Sequence, residues 1–135
     1  MDSRKQKFMT FLMFEGQAEA AMNLYTSLFD NSEIISIQRY GPGEAGEEGS
    51  VLQAVFSLHG QQFMCIDSHI KHGFTFTPAM SIYVTCDSEA ELDRVYAGLS
   101  EGGSVLMPLG SYPFSERFGW VQDPYGVSWQ LNLAK

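Results

Sequence analysis

The sequence predicts an α+β fold built from two consecutive βαβββ modules. Three observations point to it. Apolar residues alternate with period two in short runs, they recur at helical spacing in two longer stretches, and the order of patterns in the first half returns in the second. With 135 residues, 44% of them hydrophobic and 13% aromatic, the chain can bury one substantial core.

Taken in order, FMTFLMF from Phe8 to Phe14 is short and aromatic-rich, and reads as a buried strand. After Glu15 and Gly16, the residues Ala18, Ala21, Met22, Tyr25, Leu28 and Phe29 recur at helical spacing until Asp30-Asn31 breaks the helix. Glu33 to Tyr40 is the second strand. GPGEAGEEGS follows as a loop whose glycine, proline and charge leave nothing to bury. From Val51 to Leu58, alternation puts Leu52, Ala54, Phe56 and Leu58 on one face, and a turn at His59-Gly60 leads into the strand FMCID. In the second half MSIYVT is a strand, and Asp87-Ser88 opens a helix. Ser88 and Glu91 have capping-box spacing there, and Leu92, Val95, Tyr96 and Leu99 form the apolar stripe. Gly102-Gly103 ends that helix, and SVLMPL, FGWVQ and VSWQLNL supply three more strands. At a shift of 71 residues Ala21 falls on Leu92, Leu24 on Val95, Tyr25 on Tyr96 and Leu28 on Leu99. The modules therefore span residues 7–68 and 79–134, joined by a connector over 69–78.

Eight basic and sixteen acidic residues leave a net charge of −8, which repels a phosphate backbone or an anionic membrane surface unless basic residues gather on one face. Arg4, Lys5 and Lys7 are too few for that, so neither nucleic acid nor membrane is expected as a partner. Cys65 and Cys86 lie in apolar strand-like runs without the spacing of a metal knuckle or redox pair, and read as buried free thiols. No run reaches the roughly 20 apolar residues of a membrane-spanning helix. The opening MDSRKQK passes into a strand-length run without a small-residue cleavage site, so the expected location is the cytoplasm.

The segments FEGQAEAAMNLYTSLF, FTPAMSIYV, GGSVLMPL and above all RFGWVQDPYGVSWQLN resemble the PhnB-like group, labelled 3-demethylubiquinone-9 3-methyltransferase-like. That group belongs to the glyoxalase/bleomycin-resistance/dioxygenase, or vicinal oxygen chelate, superfamily. The likeness runs over nearly the whole chain, and its closing Gly-Trp-Val-x-Asp-Pro-Tyr-Gly-Val-Ser-Trp motif is specific. It implies a single domain over 1–135 in which each module curls its sheet toward a half-open barrel around a ligand cavity, usually in a homodimer. It also implies, for metal-dependent members, one metal ligand on the first strand of each module and another on the last. Aligned through the helix tyrosines, these positions fall on Thr10 and Ser81, and on Met64 and Gln130. Two hydroxyls, a thioether and an amide do not suit zinc, nickel, manganese or iron, so no metal is expected. The family label implies methyl transfer. S-adenosylmethionine enzymes place a glycine-rich turn between a strand and a helix, whereas the glycines of GPGEAGEEG lie between two strands, and no cofactor is expected.

On the final strand Val127, Trp129, Leu131 and Leu133 alternate with Ser128, Gln130 and Asn132. The apolar set can pack under a helix while the polar set faces the cavity, where Gln130 either orients a ligand or simply meets solvent. The candidate ligand-binding residues are Thr10, Leu12, Met64, Ser81, Tyr83, Phe114, Trp120 and Gln130. His69 and His72 have i, i+3 spacing in a Gly- and Pro-bounded connector without a third ligand. His59 occupies a turn, Asp123 reads as a turn-former, and Glu116-Arg117 as a rim pair. Two functions remain open. One is a metal-free binding protein for a small aromatic or cationic compound. The other is a metal-independent lyase- or isomerase-like enzyme in which Thr10, Ser81, Tyr83 and Gln130 polarise a carbonyl or hold an enolate, with Glu15, Asp67 or a substrate group moving the proton. Methyl transfer and the superfamily's metal-dependent glyoxalase or dioxygenase chemistry are further alternatives, and no catalytic residue is assigned.

Overall fold

The patterning becomes ten elements in a computed structural model that describes residues 6–135. They are β1 (Thr10–Phe14), α1 (Ala18–Leu28), β2 (Glu33–Arg39), β3 (Val51–Leu58), β4 (Gln61–Asp67), β5 (Ile82–Cys86), α2 (Glu89–Ser100), β6 (Ser104–Tyr112), β7 (Ser115–Gln122) and β8 (Ser128–Leu133). The strands form two open four-stranded sheets, ordered β1-β4-β3-β2 and β5-β8-β7-β6. In each, the first strand pairs in parallel with the last, and the remaining contacts are antiparallel. The chain divides into two units between Lys71 and His72, inside the connector.

In the first unit, one sheet face is covered by α1. Leu12, Phe14, Ala54, Phe56, Phe63 and Cys65 are buried there with Ala18, Ala21, Met22 and Tyr25 of the helix. Tyr25 lies 6.1 Å from Phe56, which stacks on Phe63 at 5.3 Å. Gln17, the residue before α1, makes no side-chain cap. The cap comes from the end of β4, where Asp67 Oδ1 accepts from the backbone N–H groups of Gly16 and Ala18, both at 2.9 Å. Asp67 Oδ2 accepts from Val51 N–H at 2.9 Å. At the β3–β4 turn both His59 and Gly60 have positive φ, 52° and 86°, the twist that a two-residue hairpin needs.

Two expectations are corrected here. β1 starts at Thr10 rather than Phe8, and Phe8 is 82% exposed. Gln6 explains the early end of the ladder: its Nε2 donates to Gln62 O at 3.0 Å and its Oε1 accepts from Gln62 N–H at 3.0 Å, taking the next backbone groups along β4. Leu52 is exposed, although alternation put it with Ala54. Arg39 pairs with Val51 and Gln38 with Gln53, so Leu52 falls in a bulge and Val51 takes the buried place.

In the second unit, Ser88 Oγ accepts from Glu91 N–H at 3.1 Å, and Glu91 Oε1 accepts from Asp87 N–H at 2.7 Å, so the capping signal forms much as its spacing predicts. Leu92, Val95 and Leu99 of α2 are buried, as are Val121, Trp129 and Leu131 of the sheet. Gly119 lets α2 approach β7, because a Cβ there would lie 2.8 Å from the Tyr96 ring. β6 and β7 extend beyond their apolar runs, to Tyr112 and back to Ser115, through register irregularities that the period-two pattern does not reveal.

Candidate functional site

A ligand can touch only side chains on the sheet face that the helix of the same unit leaves uncovered. In the first unit, Thr10 pairs with Phe63, Phe11 with Met64 and Leu12 with Cys65. Phe63 and Cys65 lie under α1, so Thr10 and Leu12 share the covered face, whereas Phe11 and Met64 lie on the other. In the second unit, Tyr83 pairs with Gln130, and Gln130 in turn with Trp120. These three oppose the buried Trp129 and Leu131, so they stand together on the uncovered face.

The placement of Thr10 and Leu12 differs from the sequence expectation for an identifiable reason. Three residues, Glu15 to Gln17, connect β1 to α1, but only Asp87 and Ser88 connect β5 to α2. Matching the helices gives a shift of 89 − 18 = 71, whereas matching the strand registers gives 82 − 10 = 72. A slip of one residue turns every side chain to the opposite face. By register Phe11 corresponds to Tyr83, and Met64 to Gln130, since 130 − 64 equals 129 − 63.

Four polar side chains of the second unit meet on its uncovered face. Trp120 Nε1–H donates to Ser128 Oγ at 2.8 Å. Ser128 Oγ and Ser81 Oγ are 2.6 Å apart, and Gln130 Nε2 donates to Ser81 Oγ at 3.3 Å. Tyr83, 57% exposed, flanks Gln130 from β5. Ser81, Trp120 and Gln130 are among the residues that the sequence marks as candidates. Ser128, which joins them, reads from the sequence only as cavity-facing, and its signal is a small hydroxyl one residue before Trp129 on the strand carrying Gln130. Phe114 stands elsewhere, its ring 5.7 Å from Tyr112 and 4.9 Å from Phe118 at the β6–β7 turn. Next to that group Ser115 Oγ bonds Asn132 Oδ1.

The two buried acidic candidates, Asp67 and Asp123, are occupied. Asp67 spends both carboxylate oxygens on three backbone N–H groups, which removes it as a proton acceptor for substrate. Asp123, also buried, accepts from the N–H groups of Tyr125 and Val127 and from Trp129 Nε1 at 2.9 Å, as a turn-former does. Glu15 is 3.9 Å from Lys71. Arg117 bonds Asp93 of α2 at 2.9 Å rather than forming a rim pair with Glu116. Burial pushes the thiols of Cys65 and Cys86 up to about 12, with Asp67 adding to the first and Glu91 and Asp87 to the second, so neither is a nucleophile at neutral pH.

Neither inherited cofactor suits the residues present. The pairs that register brings together on the uncovered faces, Phe11 with Met64 and Tyr83 with Gln130, offer a metal no imidazole, carboxylate or thiolate. His69 meets Tyr40 edge-on at 6.3 Å and His72 stacks on Phe74 at 5.0 Å. Among the described residues, no three His, Cys, Asp or Glu side chains cluster as metal ligands. The glycine-rich loop joins β2 to β3 without a helix start after it, which does not fit S-adenosylmethionine. No helix among the described residues is long and apolar enough to cross a membrane.

The family model described as 3-demethylubiquinone-9 3-methyltransferase matches residues 6–132. Among solved structures, the PhnB protein of Bacillus cereus, which carries the same methyltransferase designation, is 65% identical. It superimposes with a TM-score of 0.94 over 96% of this chain and 100% of that one. Protein PA1353 from Pseudomonas aeruginosa is 27% identical with a TM-score of 0.84, over 96% and 98% of the two chains. A glyoxylase/bleomycin resistance protein/dioxygenase domain from Frankia is 16% identical with a TM-score of 0.66, over 98% and 94%, and shares the fold.

Proposed function

From membership of the PhnB-like 3-demethylubiquinone-9 3-methyltransferase family, to which this chain belongs, we propose that the protein binds a small organic molecule without a metal, on the uncovered face of its second sheet. The observation that carries this reading is the Gln130 amide, held by Ser81 beside Trp120 and Tyr83. A partly buried amide among aromatic rings gives a ligand both hydrogen bonds and a surface to stack on. β5 and β8 carry no charged residue, so no carboxylate or imidazole on those strands serves as a general base, and this favours binding over catalysis. The methyl transfer in the family's name finds no cofactor turn in this chain.

Native mass spectrometry of protein purified without chelator or affinity metal, with elemental analysis of the same sample, tests the proposal. A co-purified organic mass that Gln130→Ala loses supports it. A stoichiometric transition metal sinks it.

We also propose a homodimer in the cytoplasm. Ile35 on the edge strand β2, and Val105 and Leu106 on the edge strand β6, are exposed apolar residues that a second copy would cover. Two free cysteines suit a reducing compartment. Sedimentation should then give 2 × 15.1 = 30.2 kDa, and a 15.1 kDa species at micromolar concentration counts against it.

A further inference from the structure

Phe118 is buried on the face that α2 leaves uncovered. It stands two residues before Trp120 on β7 and pairs with Asn132 as Trp120 pairs with Gln130, so all four share that face. Trp120 and Gln130 are partly exposed, yet Phe118 is 2% exposed. Over it lies the tip of its own hairpin. The Tyr112 ring meets Phe118 edge-on at 5.9 Å and the Phe114 ring does so at 4.9 Å, while these two stack on each other at 5.7 Å.

The tip is thinly joined to the sheet. One extra residue intervenes on β6 between Met107 and Gly110, and another on β7 between Phe118 and Ser115, which leaves Gly110–Phe118 as a single registered pair between two bulges. Pro108 brings no N–H to this stretch. Tyr112 Oη donates to Pro108 O at 2.6 Å, a bond that closes the tip on itself rather than on its neighbours. A bond between Ser115 Oγ and Asn132 ties the tip to β8.

We infer that the β6–β7 tip is a hinged cover, bending at Pro108 to Gly110, which lifts Tyr112 and Phe114 off Phe118 and so controls how much of the face a ligand can reach. It rests on the ligand-binding reading above. With the cover down, the open part of the face stops at Trp120 and Gln130; with it raised, the face runs on to Phe118 and Asn132. Phe114 is 60% exposed even when the cover is down, so lifting its ring gives up little burial.

Two substitutions should move the hinge in opposite directions. Gly110 has no left-handed φ, and a Cβ there would meet nothing nearer than Pro108 O at 4.0 Å, so Gly110→Ala stiffens the hinge without pressing on the closed form. It should populate the raised form about threefold less. Asn132→Ala removes the tie to β8 while Ser115 Oγ keeps Arg117 O at 2.9 Å, and should populate the raised form about fivefold more. Hydrogen exchange at the Gly110 and Phe118 amides reads that population, and titration with Nile red, a neutral planar dye, reads access to the face. A ligand that needs the raised form binds in proportion to its population, so exchange and dye affinity should shift by the same factors, with the Val121 and Leu131 amides unmoved. Gly110 and Phe118 amides that exchange only as slowly as those of Val121 and Leu131 would overturn the hinge. Dye affinity that stays constant while exchange shifts would overturn the cover's control of the face. If no variant binds the dye, the binding reading fails and that control with it, whereas exchange still upholds or overturns the hinge by itself.

Discussion

Replacing Asp67 tests whether a carboxylate at the end of β4 holds the first unit together. Its side chain accepts from three backbone N–H groups on two separate segments, Gly16 and Ala18 at the start of α1 and Val51 at the start of β3. The bonds to Ala18 and Val51 are buried, and an orphaned buried donor costs about 1–3 kcal/mol. Asp67→Ala orphans both, which gives a loss of about 4 kcal/mol, a large share of the roughly 5–15 kcal/mol that stabilises a domain. Asp67→Asn keeps Oδ1 for Gly16 and Ala18 but turns an NH2 toward the Val51 N–H, for a loss of about 2 kcal/mol. Urea unfolding followed by far-UV circular dichroism measures both changes. Tryptophan fluorescence is the wrong probe, since Trp120 and Trp129 both lie in the second unit. Exchange of the Ala18 and Val51 amides should quicken in the alanine variant, and only Val51 in the asparagine variant. Equal losses within about 0.5 kcal/mol for the two variants would refute the three-bond reasoning.

The remaining expectations concern the thiols and two glycines. With thiols raised from an ordinary 9.0 to about 12, Cys65 and Cys86 should react with iodoacetamide at pH 8 about a thousandfold more slowly in the native protein than in urea. Unfolded thiols ionise through 9.0 while the folded ones stay protonated to about 12, so stability should hold below pH 9 and fall as pH rises through that window. Cys65→Ala should flatten the fall, and rapid native labelling at pH 8 would contradict the burial argument. A Cβ at Gly103 would lie 2.1 Å from Gln122 O, a backbone atom that cannot turn aside, so Gly103→Ala should cost about 3 kcal/mol or more by thermal melting. Gly119→Ala presses instead on the Tyr96 ring, and should cost about 1–2 kcal/mol and be partly rescued by Tyr96→Leu.

Element order is legible in the sequence because each element announces itself locally: Ser88 and Glu91 by their spacing, His59-Gly60 by its turn chemistry, Trp129 and Leu131 by alternation with Gln130. Face assignment on β1 is not legible. It depends on whether two or three residues join a strand to its helix, and hydrophobic patterning does not count loop residues. Leu52 escapes for a related reason, since a bulge is a feature of two paired strands and not of one. The role of Asp67 is hidden because its three partners lie 16 to 51 positions away in sequence. Ser128 is visible as a polar residue on the correct face, but a serine looks the same in sequence whether it meets solvent or links Trp120 to Ser81.

The parallel pairing of each unit's first and last strands also decides how the unit responds to being pulled by its ends. Residues Thr10 to Phe14 lie beside Phe63 to Asp67, and Ile82 to Cys86 beside Trp129 to Leu133, running the same way. Tension applied at the two ends of a unit therefore slides the paired strands lengthwise past one another, and all the bonds of the ladder carry load at once. A hairpin pulled at its open end would instead unzip, breaking its bonds in succession. Extracting either unit through a narrow pore, as an unfolding protease does, should therefore meet its main resistance at this parallel ladder, and resistance of that kind is set by the rate of unfolding.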